Sequence, residues 1–363
     1  MRLRVSDVKR ILQLFVHFGA DPRILYEAHP HIGTNKLPHI ITAMRETILQ
    51  CGGEVHFDCK LTDILLEGNK IKGAVVNGQE TIGCDAMVLA TGHSARDIFS
   101  LLDRKRISIE AKPFALGVRI EHPQSLIDKA QYKCEIRDEL LPPASYSLVA
   151  QESGRGVFSF CMCPGGIIAP AATAPGEVVV NGWSPSKRNN PYANSGTVVA
   201  VDERDFARYG FKGNLAGIAY QQMVEQQAFR AGGGNLVAPA QRMEDFVRKK
   251  VSSTLPPCSY LPGITPVSLY DVLPKEVSAA LQQAMTSFGK KMKGYYTNEA
   301  VLVATESRTS SPVRIPRDKE TLQHPQIEGL FPCAEGAGYA GGIVSAAIDG
   351  ERCVEKAIAM VSR

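Results

Sequence analysis

The sequence lacks the marks of several large protein classes. No apolar run approaches the ~20 residues that span a bilayer, so a membrane span is not expected. Neither charge sign dominates: 41 Lys and Arg stand against 37 Asp and Glu, a net charge of +4. The basic runs are short, Arg248-Lys249-Lys250 and Lys290-Lys291-Met292-Lys293. They read as solvated helix faces, and nucleic acid is not an expected partner. The segment MRLRVSDVKRILQLF has neither a long apolar stretch nor a small-residue cleavage site, so no signal peptide is read. Nine cysteines, an odd number, are scattered with no CxxC and no disulfide-like framework. A reducing cytoplasm fits that pattern, and a thioredoxin-reductase-like active site does not.

What is present is ordinary globular material. The 363 residues are 44% hydrophobic and 21% charged, enough for about two domains. Apolar periodicity predicts a helix over 6–18, stopped by Gly19, and a second over 36–51, closed by Gly52-Gly53. Short strands are expected at EVHF, LTDILLE, KIKGAVV and ETIG, with Asn77-Gly78 as a hairpin cue. Residues 86–90, an apolar run ending at Thr91-Gly92, suit a strand buried on both faces, with Ser94 as cap of the next helix. From Lys112 the character changes to Val- and Phe-rich strands, with helices expected over 214–229 and 277–292. A final helix is expected over 343–361.

The stretch GLFPCAEGAGYAGGIVSAAIDG holds a GxGxxG at Gly336, Gly338 and Gly341. A dinucleotide fingerprint of the Rossmann type needs a second strand after its helix, and none follows here. Another role fits better. Glycines at a strand-to-helix turn admit a ligand close to the backbone. The helix N-terminus offers free N–H groups and a positive dipole end, suited to a phosphate or a reduced flavin edge. The bland reading is a tight turn packed on its own sheet.

This tail resembles the C-terminal FAD motif of flavoproteins with the glutathione-reductase type of FAD domain, and DAMVLATG resembles their second signature. More closely, PHIGTNKL, FSFCMCPGG, ANSGTVVAV, ESRTSSPVRI and the tail are similar, in order, to a family of uncharacterised FAD-dependent dehydrogenases. The resemblance implies an α/β fold: a three-layer FAD/NAD(P)-binding domain, 1–111 plus 304–363, with an inserted α+β substrate or cap domain, 112–303. It implies FAD contacts at Lys36, Thr91, Gly92, Glu335, Gly336, Gly338, Gly341, Gly342 and Ile343. It implies an FAD-dependent oxidoreductase acting on a small-molecule substrate by hydride transfer at flavin N5. NAD(P)H as a transient reductant, or the substrate itself, would supply electrons. The family's opening strand–GxGxxG–helix unit has no counterpart in these residues, so a truncated chain is expected. The rival reading is a non-catalytic flavoprotein remnant or interaction module without cofactor.

Candidate reactive groups follow from residue type. Arg308, Thr309, Ser310 and Ser311 form one polar run that either binds a flavin edge or substrate carboxylate, with Arg308 as anion anchor, or is a self-capped turn. Cys161 and Cys163, two apart in an expected strand, share a face and read as a redox pair, a thiol that adds to the flavin ring, or small buried hydrophobes. Asn194 and Ser195 in ANSG are candidates for a pocket wall or an Asn-rich turn. His29 and His31 form an HxH with no completing carboxylate or cysteine cluster, so no metal site is expected.

Overall fold

The computed structural model describes residues 4–362. The first helix is α1 (Val5–His17), with Ile11 buried. Gly19, at φ +103°, follows it. Asp21 then caps a 3-10 turn at Pro22–Leu25 by accepting the Arg23 N–H at 2.9 Å. Next come α2 (Leu37–Gln50) and an antiparallel meander of β1 (Leu61–Glu67), β2 (Lys70–Val76) and β3 (Glu80–Gly83). Asn77 and Gly78 turn the chain into β3 at φ +53° and +75°, the left-handed backbone that Asn-Gly tolerates. The expected EVHF strand does not form. Val55 and Phe57 are exposed, and residues 54–57 have no ladder partner among the described residues.

After β4 (Met87–Leu89) comes α3 (Arg96–Arg104), which buries Ile98, Phe99, Leu101 and Leu102. Its N-cap is Ala95 and not the expected Ser94, whose carbonyl accepts the Arg96 N–H at 2.9 Å. The next elements are β5 (Glu110–Ala111), β6 (Phe114–Pro123), α4 (Gln124–Tyr132), β7 (Val149–Glu152), β8 (Arg155–Pro164), β9 (Ile167–Pro170), β10 (Val180–Trp183) and β11 (Tyr192–Val201). Then come α5 (Glu203–Arg208), α6 (Ala216–Ala231), β12 (Ala238–Arg242), α7 (Met243–Val247), β13 (Ile264–Pro266), α8 (Leu269–Val272), α9 (Lys275–Lys291) and β14 (Val301–Glu306). The last three are β15 (Val313–Arg314), β16 (Leu330–Pro332) and α10 (Ile343–Val361).

The fold is mixed α/β and divides into two compact units. One takes the residues up to Pro113, Phe206–Ile218 and those from Ser310 on; the other takes Phe114–Asp205 and Ala219–Thr309. In the first, β4 pairs in parallel with β16, Phe331 opposite Val88, and β5 pairs antiparallel with β15. Its core gathers Ile64, Ile71, Leu89, Phe99, Leu102, Val313 and Leu330.

The second unit is built on a seven-stranded mixed sheet in the order β13-β12-β14-β6-β11-β8-β7. Only β12 and β13 run parallel within it. The central strand β6 is buried from Phe114 to His122. α9 turns Val277, Leu281, Met285 and Phe288 inward, at the helical spacing of an apolar face. No helix among the described residues is long and apolar enough to cross a membrane.

Candidate functional site

Two groups of residues stand out, one in each unit. In the first unit the parallel pair β4 and β16 delivers two turns side by side. Thr91-Gly92 leaves β4, with Gly92 at φ +76°. Residues 333–342 leave β16 and lead into α10. Gly336 lies against Gly92: a Cβ there would stand 2.7 Å from the Gly92 carbonyl oxygen. Glu335 pairs with His93 Nδ1 at 3.3 Å. Gly338, at φ +83°, packs under the Val313 carbonyl. Ser311 Oγ donates to the Val313 carbonyl at 2.6 Å. Lys112 Nζ reaches the Ser311 carbonyl at 3.4 Å, and burial, with Arg314 beside it, holds its pKa below the usual lysine range.

The end of the glycine-rich turn is different in kind. A Cβ on Gly341 would meet nothing within 4 Å, and one on Gly342 only Ser345 Oγ at 3.8 Å. Gly342 is the N-cap of α10 and carries no side chain to occupy the first N–H groups of that helix. Ile343 is exposed there. The turn therefore combines a tightly packed inner half with an open outer half under a helix N-terminus. That suits an anionic or carbonyl-bearing ligand edge. Lys36 lies elsewhere in this unit, exposed at the N-cap of α2.

The same unit holds Cys333, Asp349 and Cys353, whose ligand atoms lie within 4.8 Å of one another. Asp349 is already engaged by Arg317 at 2.6 and 2.9 Å and by the Ala334 N–H at 2.7 Å. The guanidinium stacks 4.0 Å over the Tyr339 ring. A cation therefore already fills this cluster's electrostatic role.

In the second unit the structure joins residues that the sequence scatters. Arg119 of β6 is fully buried. Its Nε donates to Asn194 Oδ1 at 2.7 Å, its Nη1 to Glu306 at 3.0 Å, and its Nη2 to the Cys161 carbonyl at 2.5 Å and toward Cys163 Sγ at 3.5 Å. Asn194 Nδ2 is buried with no hydrogen-bond partner among the described residues. Burial pushes Glu306 up to about 7 despite the Arg119 charge. Cys161 is held down at about 6 by its hydrogen bond to Cys163, with Arg119 adding to the effect. Cys163, buried beside it, is pushed up.

Expected strand alternation does not hold at the thiols. Opposite β11 the ladder pairs Gly196 with Phe160 and Asn194 with Cys163, leaving Cys161 and Met162 to face Ser195 alone. This is a β-bulge, and Cys161 takes the left-handed backbone at φ +46°.

Arg308 is placed apart from this group. Its Nε and Nη2 fork onto Glu225 at 2.7 and 3.0 Å, and Nη2 also reaches Glu177 at 3.3 Å. A substrate carboxylate at Arg308 would compete with two buried carboxylates. Ser310, half-buried, falls in the first unit. Sequence reading missed Arg119 and Glu306. A charge inside the apolar run of β6 was the available signal for the first. Its pairing with β14 was not readable in sequence.

Residues 113–309 match the family described as FAD-dependent protein, C-terminal domain-like. An uncharacterised protein of Clostridium beijerinckii (strain ATCC 51743 / NCIMB 8052) is 43% identical over 363 residues, covering 98% of this chain and 67% of its own length. The chain belongs to this FAD-dependent family. Among solved structures, the glycine oxidase from Bacillus cereus ATCC 14579 shares 12% identity at a TM-score of 0.32, over 89% of this chain and 56% of its own. An oxidoreductase from Methanosarcina mazei shares 11% at 0.35, over 88% and 54%. The flavin-dependent brominase Bmp2 shares 12% at 0.32, over 90% and 57%. The chain spans just over half the length of each of these structures.

Proposed function

We propose that this chain works in an FAD-dependent oxidoreductase of the dehydrogenase type, with a glutathione-reductase-like first unit that holds the cofactor. The observation that carries the reading is the open outer half of the glycine-rich turn. Gly341 and Gly342 leave space at the N-terminus of α10 in a chain of an FAD-dependent family. Thr91, Gly92, Glu335, Gly336, Gly338 and Ile343 complete the proposed cofactor face, and Lys36 is a further proposed contact. FAD, when bound, supplies hydride acceptance or donation at flavin N5.

The chain's own residues do the rest. The N–H groups at the start of α10 bind and orient, because they carry partial positive charge. Glu335, fixed by His93, sets the turn's position. In the second unit, Cys161, Cys163 and Asn194 are the proposed reactive and substrate-positioning groups. Arg119 holds them in place, and Glu306 can give or take a proton near neutral pH. Arg308 and Ser310 are retained as lesser candidates. The substrate is a small molecule.

The test is thermal unfolding of the chain with FAD, ADP or riboflavin. FAD should raise Tm and either fragment should raise it less. Ligand at 100 times Kd adds about 2.7 kcal/mol. The only GxGxxG of this sequence lies at Gly336–Gly341, on the proposed flavin side. Because this turn is proposed to face the flavin and not the pyrophosphate, the 363-residue chain should bind FAD with micromolar or weaker Kd, about two to four powers of ten short of a nanomolar site. No upshift at millimolar FAD would overturn the reading and favour a remnant without cofactor.

A further inference from the structure

Cys161 and Cys163 adjoin the buried Arg119 network, Cys161 through its carbonyl and Cys163 through its sulfur. Cys161 is exposed and Cys163 is buried. The bulge removes Cys161 from the ladder and turns it into left-handed backbone. That conformation disfavours any residue with a Cβ by about 1–2 kcal/mol. Here the Arg119 guanidinium, itself fixed by Glu306 and Asn194, grips the Cys161 carbonyl and lies against the Cys163 sulfur. The Cys163 thiol donates to the Cys161 carbonyl at 3.4 Å, which keeps the two residues together. A purely structural cysteine pair needs neither the exposed position nor the cation.

We propose that Cys161 and Cys163 form a two-electron thiol–disulfide couple, oxidised by a hydroperoxide. The Cys161 thiolate attacks the terminal peroxide oxygen. The S–O bond forms, the O–O bond breaks, and the leaving oxygen takes a proton and departs as water or an alcohol. Cys163 then attacks the Cys161 sulfenic acid: the S–S bond forms, the S–O bond breaks, and the oxygen leaves as water with the Cys163 proton. Two thiols lose two electrons in all, and the peroxide gains them. An external dithiol restores both thiols by exchange.

The division of labour follows from placement. Cys161 meets solvent and, held down at about 6, is mostly thiolate at neutral pH, where an ordinary cysteine is only a few per cent ionised. Cys163 is buried and protonated, so it reacts second. The couple needs no flavin, so it extends the flavoprotein reading and does not depend on it.

The test is peptide mass spectrometry of the reduced chain after limiting hydrogen peroxide. Trypsin releases residues 156–187, whose only cysteines are these two. The expected result is loss of two hydrogens from that peptide, reversed by dithiothreitol. At pH 7 it should form about two- to threefold faster than exposed Cys51 is oxidised, once the lower nucleophilicity of a more acidic thiol is allowed for. Cys163→Ser should stop at a dimedone-reactive Cys161. Cys161→Ser should leave Cys163 reduced, with an unchanged circular dichroism spectrum in both variants. Oxidation of Cys161 no faster than Cys51, or direct passage to sulfinic acid in the unaltered chain, overturns the proposal. No arm reads FAD, so this failure is distinct from failure of the cofactor reading.

Discussion

Gly336 and Gly92 meet backbone to backbone: a Cβ on Gly336 would lie 2.7 Å from the Gly92 carbonyl oxygen and 2.9 Å from its nitrogen. Two motifs far apart in sequence are thereby locked into one surface, each leaving its own strand of the β4–β16 pair. The glycines of the tail consequently do different jobs, and substitution separates them.

Gly336→Ala should destabilise the chain by about 1–3 kcal/mol, because backbone must shift to admit a methyl group. Gly341→Val meets open space and should leave the Tm of the unliganded chain nearly unchanged. It should also abolish the FAD-induced rise in Tm. A full FAD upshift in Gly341→Val would remove the outer turn from the cofactor site.

Arg308 and Glu225 form a forked, buried ion pair. Removing one partner strands the other's charge, so Arg308→Met should lower unfolding free energy by about 3–5 kcal/mol in urea titration. The double variant Arg308→Met with Glu225→Met should recover much of that loss. If Arg308→Met were instead neutral for stability but lost substrate turnover, Arg308 would be an anion anchor after all.

Glu306 ties stability to pH. Its folded pKa, about 7, lies above the ordinary glutamate value, so folding takes up a proton between them. Its contribution is full below about 4.5 and is lost as pH rises through 7, by up to about 1.4 kcal/mol per pH unit. His122, held near 4 by burial, and Cys161, held near 6, tilt the curve the other way. The readout is therefore the difference between the unaltered chain and Glu306→Gln. That difference should shrink as pH rises from 5 to 7.5; a constant difference would mean that Glu306 stays ionised throughout.

Local signals in the sequence were good guides where one element decides its own conformation. The helix over 343–361 begins and ends where its apolar spacing and flanking glycine indicate, and β1 to β3 and β6 match their alternating or apolar runs. Val55 and Phe57 show the limit: strand-forming residues make no strand without a neighbour to pair with. Arg119 shows it again. Its partners come from β8, β11 and β14, and only the sheet order brings them to one face. At Cys161 the bulge defeats the two-residue rule outright, because ladder register is a property of two strands together.

β6 opens the second unit and β14 lies near its close, yet they are immediate neighbours, Gly117 opposite Glu306. Chain ends held about 4.8 Å apart in a ladder behave, for the rest of the polymer, like the two feet of a short loop. Loop-closure entropy depends on the separation that must be bridged, and here the insertion bridges it with its own hydrogen bonds. The second unit therefore closes its own ends, although Phe206–Ile218 within that stretch belongs to the first unit. Changes in the length of surface loops elsewhere in the stretch should leave the β6–β14 pairing almost untouched.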